Sequence, residues 1–278
     1  MTLTHEQLSW LIQFDHPEKA LAGYRGELDD AAYGALFGVS AALYRELRAA
    51  LAANARRAAQ DLLADPAFAA RVDRLPFKPG AVVVGVGDSM TDDDQSWFEI
   101  LCAVFELRRP RQDVAFINAG FSGDTTVDAL SRFYGVTLQH PDWIICFIGT
   151  NDARRHGRFP LKPLLSAEET ARNLAALRHF GATQTSARWV WITPPPCIPE
   201  KIAAHWHLSQ GQLSWVNEDL IVIGDAVRRQ SDPVIDLQAL FGAPARSDWL
   251  LDDGLHPSLA GHVAIVSALV SRLSGLSD

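Results

Sequence analysis

Short apolar runs alternate with amphipathic stretches from Gly80 to the end of the chain. The runs at 81–86, 114–118, 143–148, 188–193 and 233–236 are too short for buried helices and rich in Val and Ile. Runs of that kind predict strands buried on both faces. Between and after them, apolar residues recur at helical spacing near 94–108, 124–134, 167–181, 212–230 and 258–273. In the first of these, Trp97, Phe98, Leu101, Val104 and Phe105 fall on one face. Strands alternating with helices imply right-handed crossovers, and hence an α/β fold with a parallel five-stranded sheet covered on both faces. Ligands of such sheets bind beyond the carboxyl ends of the strands.

Residues 1–78 follow a different pattern. From Asp29 to Leu63 the chain is rich in Ala, Leu and Arg, and Leu36, Leu43, Leu47 and Leu51 mark an apolar stripe, so one or two helices are expected. Asp65-Pro66 ends that run, a shorter helix is expected over Phe68–Val72, and Pro76 and Pro79 lead into the first strand. The division is therefore a helical N-terminal extension, 1–78, and an α/β domain, 79–278. The stripe is read as packing against the α/β domain, with a lid or a homo-oligomer contact as the alternatives. Two long loops, Arg154–Ser166 and Pro194–Gln212, follow the third and fourth strands and are expected at the ligand-binding rim.

Composition narrows the class. A net charge of −8, with no basic run interleaved with aromatics, argues against sequence-independent binding of nucleic acid. No apolar stretch is long enough for a membrane span. The N-terminus lacks the basic start and long apolar region of a signal peptide, so a cytoplasmic location is expected. Cys102, Cys146 and Cys197 are odd in number and sit in apolar or proline-rich surroundings, as reduced packing residues do.

The chemistry concentrates in four segments. In Gly85-Val86-Gly87-Asp88-Ser89 the glycines are read as permitting a tight turn, which leaves Ser89 where a strand gives way to a helix. Unpaired N–H groups at such a junction can stabilise an oxyanion. A serine hydroxyl needs a base, and His256 is the candidate, with Asp253 three residues before it to fix its tautomer. Gly123, in Asn118–Asp124, offers a backbone N–H, and Asn151, in Gly149-Thr150-Asn151-Asp152, a side-chain amide. With the N–H of Ser89 these make three oxyanion donors. Asp152 is expected to bond backbone nearby. Phe159 and Trp206 are candidates for substrate contact. His205-x-His207 falls short of a zinc site, and no metal or other cofactor is expected.

The four segments, in this order, resemble the blocks of the SGNH hydrolases, also called the GDSL esterase/lipase family. Gly-Asp-Ser89 is similar to the nucleophile block, Asn118–Asp124 to the second with Gly123 as oxyanion glycine, Gly149–Asp152 to the third with Asn151 as amide donor, and Asp253-x-x-His256-Pro257 to the last. The resemblance spans roughly 80–273. It implies a flavodoxin-like three-layer α/β/α fold and metal-free hydrolysis of a small-molecule carboxylic ester or thioester through an acyl-enzyme, with short-chain acyl or O-acetyl esters as the expected substrates. Thioester hydrolysis and acyl transfer to a sugar hydroxyl use the same residues. A non-catalytic α/β ligand-binding protein is the rival from another class. A dinucleotide or P-loop site is excluded by the missing third glycine and the absence of Gly-Lys-Ser/Thr, and the Gly-x-Ser-x-Gly elbow is absent too. Two features depart from the pattern: Met90 in place of leucine, and the run Asp92-Asp93-Asp94, read as an acidic first helical turn.

Overall fold

The computed structural model describes residues 3–21 and 28–276. Five strands form the central sheet: β1 (Val82–Gly87), β2 (Ala115–Gly120), β3 (Trp143–Phe147), β5 (Arg188–Ile192) and β7 (Val234–Ile235). All pair in parallel, in the order β2-β1-β3-β5-β7. This is the flavodoxin-like order, which reverses direction beside β1 and opens a crevice at the carboxyl ends of β1 and β3. The loops after β3 and β5 meet through a second, two-stranded pairing, β4 (Arg155–His156) with β6 (Leu213–Ser214). They therefore lie together, as expected of the two long loops.

Side-chain alternation along the strands sorts the core into two layers. Val83, Ile145, Val190 and Ile192 face α7 (Trp97–Arg108) and α14 (Leu259–Leu273), with α4 (Ala41–Leu63) and α5 (Pro66–Asp73) outside them. Val84, Val86, Ile144, Cys146 and Trp191 face α8 (Thr126–Thr137), α9 (Ala167–Gln184) and α12 (Asn217–Arg228). The result is the three-layer α/β/α fold that the pattern and the resemblance imply. Gly85 belongs to the first layer, where an added Cβ would lie 2.6 Å from the Phe98 ring. The glycines of β1 thus serve close packing within an extended strand rather than a tight turn. All three cysteines are free, with Cys146 and Cys197 buried. No helix among the described residues is long and apolar enough to cross a membrane.

The N-terminal region is more helical than the pattern indicated. Besides α3 (Asp30–Leu36), α4 and α5, it holds α1 (His5–Phe14) and the single turn α2 (Pro17–Ala20). Leu8 and Ile12 of α1 pack with Tyr44 and Leu47 of α4 in a small core of their own. Leu36 leaves the expected stripe: it ends α3, a turn separates it from α4, and it is 61% exposed. The remaining short helices are α6 (Ser89–Asp92), α10 (Pro199–Ala204), α11 (Trp206–Gln210) and α13 (Leu237–Phe241).

Candidate active site

β1 ends at Gly87, and Asp88 caps the single turn α6 by accepting from the Met90 N–H at 3.0 Å. Ser89 is the first residue of that turn, at the reversal point of the sheet. Its Oγ lies 2.9 Å from Nε2 of His256, although 167 positions separate the two in sequence. Nδ1 of His256 is 2.7 Å from Asp253 Oδ2, and the backbone N–H groups of Leu255 and His256 donate to Oδ1 at 2.8 and 2.9 Å. Ser89, His256 and Asp253 are all buried, at 8%, 6% and 1% exposure. Burial opposes the Asp253 carboxylate, but the charge and hydrogen bond of His256 outweigh it and hold the carboxyl down at about 2. Burial likewise opposes the imidazolium, yet Asp253 raises His256 above its ordinary value. The carboxylate thus requires a hydrogen on Nδ1, which leaves Nε2 able to accept the serine proton.

Gly123 and Asn151 lie on adjoining turns, linked through Asp124 and Arg154, whereas Phe159 stands apart from them. Gly123 follows β2 with φ +87°, a left-handed conformation that favours glycine. The N–H groups of Ser89 and Gly123 have no acceptor among the described residues. Asn151 opens a 3-10 turn after β3, and its Nδ2 donates one hydrogen to the Asp124 carbonyl at 3.0 Å, while the other has no acceptor among the described residues. Asp152 accepts from the Thr126 N–H at 2.9 Å and from the Thr170 hydroxyl at 2.9 Å, so it ties the Asn151 turn to α8 and α9. Trp206 is half-buried and lies edge-on to Trp10, with ring centroids 5.9 Å apart. Phe159 is 83% exposed on the loop beyond β4. An apolar groove of about 810 Å³ between α4 and α14 is lined by Leu62, Trp249 and Val263 and by none of these polar residues.

Three neighbours of the site had no sequence signal of function. Phe14 of α1 lies over the His256 ring, centroids 4.2 Å apart, and Trp10 Nε1 donates to Asp253 Oδ2 at 3.1 Å. Arg154 brings a guanidinium to the Asn151 turn, with Nη1 3.4 Å from Asn151 Oδ1 and a buried Nε that has no partner among the described residues. Burial lowers the pKa of Arg154, while the charges of Asp88 and Asp128 oppose that change. Thr4 and Gln7 form a capping box, a signal that would have revealed α1, though not what it covers.

The run Asp92–Asp94 does not begin the helix that follows. α7 starts at Trp97 under a Ser96 cap. The three carboxylates are instead turned toward the N-terminal segment: Asp92 to His16 and Lys19, Asp93 to Gln13, and Asp94 to Arg48.

A doubly wound sheet with a serine, a histidine and an aspartate joined by hydrogen bonds at its reversal point defines a hydrolase of the serine type. The sequence profile of the GDSL-like Lipase/Acylhydrolase family matches residues 82–264, and the chain belongs to that family; it is a serine ester hydrolase. The chain is 22% identical over 224 residues to an acetylxylan esterase of Geobacillus stearothermophilus, covering 70% of this chain and 94% of that one. It is 27% identical over 178 residues to an arylesterase of Vibrio mimicus, covering 62% and 78%. The crystal structure of a lipase/acylhydrolase from Enterococcus faecalis superposes with a TM-score of 0.53 at 26% identity, covering 70% of this chain and 96% of that one.

Proposed function

We propose that the chain hydrolyses carboxylic esters of short acyl groups, O-acetyl esters among them, through an acyl-enzyme on Ser89. The observation that carries this reading is the continuous hydrogen-bond chain from Ser89 Oγ through His256 to Asp253. Ser89 Oγ attacks the ester carbonyl carbon while Nε2 of His256 takes its proton, and Asp253 stabilises the resulting imidazolium. The carbonyl oxygen, now negative, is held by the N–H groups of Ser89 and Gly123 and by the second amide hydrogen of Asn151. Collapse breaks the bond to the alcohol oxygen, which leaves with the proton from Nε2. A water then gives its proton to the same nitrogen, attacks the acyl-enzyme and releases the acid, restoring Ser89.

A short acyl group suits the near-complete burial of Ser89 and His256 and the Phe14 ring over the imidazole. The acetylxylan esterase among the relatives supports an acetyl ester in particular. On this reading residues 79–278 are the hydrolase domain and 1–78 an extension of it, a boundary supported by the family match that begins at residue 82. The test is turnover of p-nitrophenyl esters from acetyl to octanoyl by the parent chain and by Ser89→Ala. The parent is expected to favour acetyl, and the variant to fold normally and be inactive. Turnover retained by the variant would remove Ser89 from the mechanism, and a preference for octanoyl would overturn the acyl assignment.

A further inference from the structure

The N-terminal segment lies outside the family match, and the acidic run Asp92–Asp94 departs from the family pattern; the two meet at the active site. The contacts fall into two groups. One group seats the segment. Gln13 Nε2 donates to Asp93 Oδ2 at 2.8 Å, and His16 Nδ1 lies 2.7 Å from Asp92 Oδ1. Lys19 pairs with Asp92 and donates to the Gly120 carbonyl at 3.0 Å. Arg48 of α4 ties Asp94 to Glu18, at 3.0 and 2.7 Å. Asp92 and Asp93 are almost fully buried, so each charge needs partners; the segment adds its own to those in the α/β domain, the Ser122 N–H on Asp92 at 2.8 Å and, on Asp93, the Gln95 N–H at 2.7 Å and His262 Nε2 at 3.2 Å.

The other group reaches the chemistry. Trp10 Nε1 donates to the same Asp253 oxygen that holds His256 Nδ1, so Oδ2 has two donors and Oδ1 two more. Four donors fix the carboxylate plane, and with it the plane of the imidazole that must face Ser89. Phe14 closes the face of that imidazole. His205 and His207, with ring centroids 5.1 and 5.0 Å from Trp10, hold the indole in its place.

We propose that the N-terminal segment is a working part of the active site, with Trp10 as a positioning residue for the Asp253–His256 pair and Asp92–Asp94 as the seat that holds it there. The proposal rests on Ser89, His256 and Asp253 acting as the triad. The indole N–H also draws charge from Asp253 Oδ2. Without it the carboxylate stabilises the imidazolium more strongly, so His256 gives up its proton only at higher pH. Among the described residues, the carboxylates that favour a charged His256 are Asp253, Asp88 and Asp93, the last of them paired with His262, and His205 between α10 and α11 lies near enough to interact with it. Replacing Trp10 changes none of their charges.

The test is Trp10→Phe in the full chain, which keeps an aromatic ring and removes the N–H. The expected result is a fall in kcat of roughly tenfold, the size of a lost hydrogen bond to a charged group, with the acid limb of kcat/KM displaced to higher pH. The downfield proton resonance of the His256 Nδ1–H should move as well. That resonance needs no turnover, so it reports on Trp10 even if Ser89→Ala disproves the triad. The double variant Gln13→Leu, Lys19→Met cuts the seat without touching Asp253 or His256 and is expected to reproduce both shifts. It also reads the proposal if Trp10→Phe folds poorly. A loss of kcat with the limb and the resonance unmoved would reduce Trp10 to packing. Unchanged kinetics in both variants would overturn the proposal entirely.

Discussion

His256 must be neutral to accept the serine proton, and its surroundings favour the charged form. Burial works against the imidazolium, but the charge and hydrogen bond of Asp253 prevail, with Asp88 and Asp93 adding to them. The acid limb of kcat/KM is therefore expected above the ordinary 6.5 of histidine. Asp88 offers a way to move it. Burial pushes this carboxyl up to about 7 against the Met90 N–H bond, and its Oδ2 has no partner among the described residues. A carboxyl raised from 3.8 to about 7 favours the fold below 3.8, and that contribution is lost as pH rises through 7. Asp88→Asn keeps the Oδ1 cap on α6 and removes the charge. It should shift the acid limb to lower pH and raise the urea midpoint at about pH 8 but not at about pH 4. A limb that stays in place would mean that Asp88 does not act on His256. Ser89, Asp253 and His256, which the fold brings into one hydrogen-bond chain, were legible in sequence as candidates because they sit in short motifs beside elements, as do the candidate donors Gly123 and Asn151. Trp10 and Phe14 were not, since only packing across the chain brings them to the site; Arg154, three residues after Asn151, lies in a loop expected at the rim but carries no motif of its own.

The strands were the most legible elements, because residues buried on both faces leave a continuous apolar run that few other structures require. Their helices were legible from the same contrast. α1 was not: it buries few apolar residues, against α4 rather than the sheet, and its last turn is held to the acidic run by Gln13. Leu36 was misplaced because spacing alone does not show the turn between α3 and α4. Gly85 also means something different at this scale. It lets α7 approach β1, with Phe98 where a side chain would stand. Gly85→Ala is expected to push that ring off the sheet and cost about 1–3 kcal/mol, the usual range for overpacking. Urea unfolding of the variant checks this, and an unchanged midpoint would show that α7 yields freely. Since α6 and Ser89 lie between β1 and α7, a displaced α7 should lower kcat as well.

For the whole molecule, one buried histidine couples the N-terminal segment to pH while another governs the chemistry. His16 faces Asp92 and Asp94, with Lys19, Arg48 and Glu18 around them. Burial and Arg48 oppose its charge, but Asp92 and Asp94 raise His16 above 6.5. Asp92, despite burial, is held below 3.8 by His16 and Lys19. The sign of each is opposite. The His16 contribution is fully present below 6.5 and is lost as pH rises through its raised value; that of Asp92 is present above 3.8 and is lost as pH falls through its lowered value. The segment is therefore seated most firmly in mild acid, where His256 is still protonated and idle. Raising the pH frees the base and loosens the seat together, with Lys19 keeping hold of Asp92. Hydrogen exchange of the α1 amides, compared with those of α9 at about pH 6 and about pH 8, should show protection of α1 falling at the higher pH. His16→Gln should remove that difference. Protection of α1 that stays constant with pH, or changes equally in the variant, would mean that Lys19, Gln13 and Arg48 hold the segment without help from the imidazole charge.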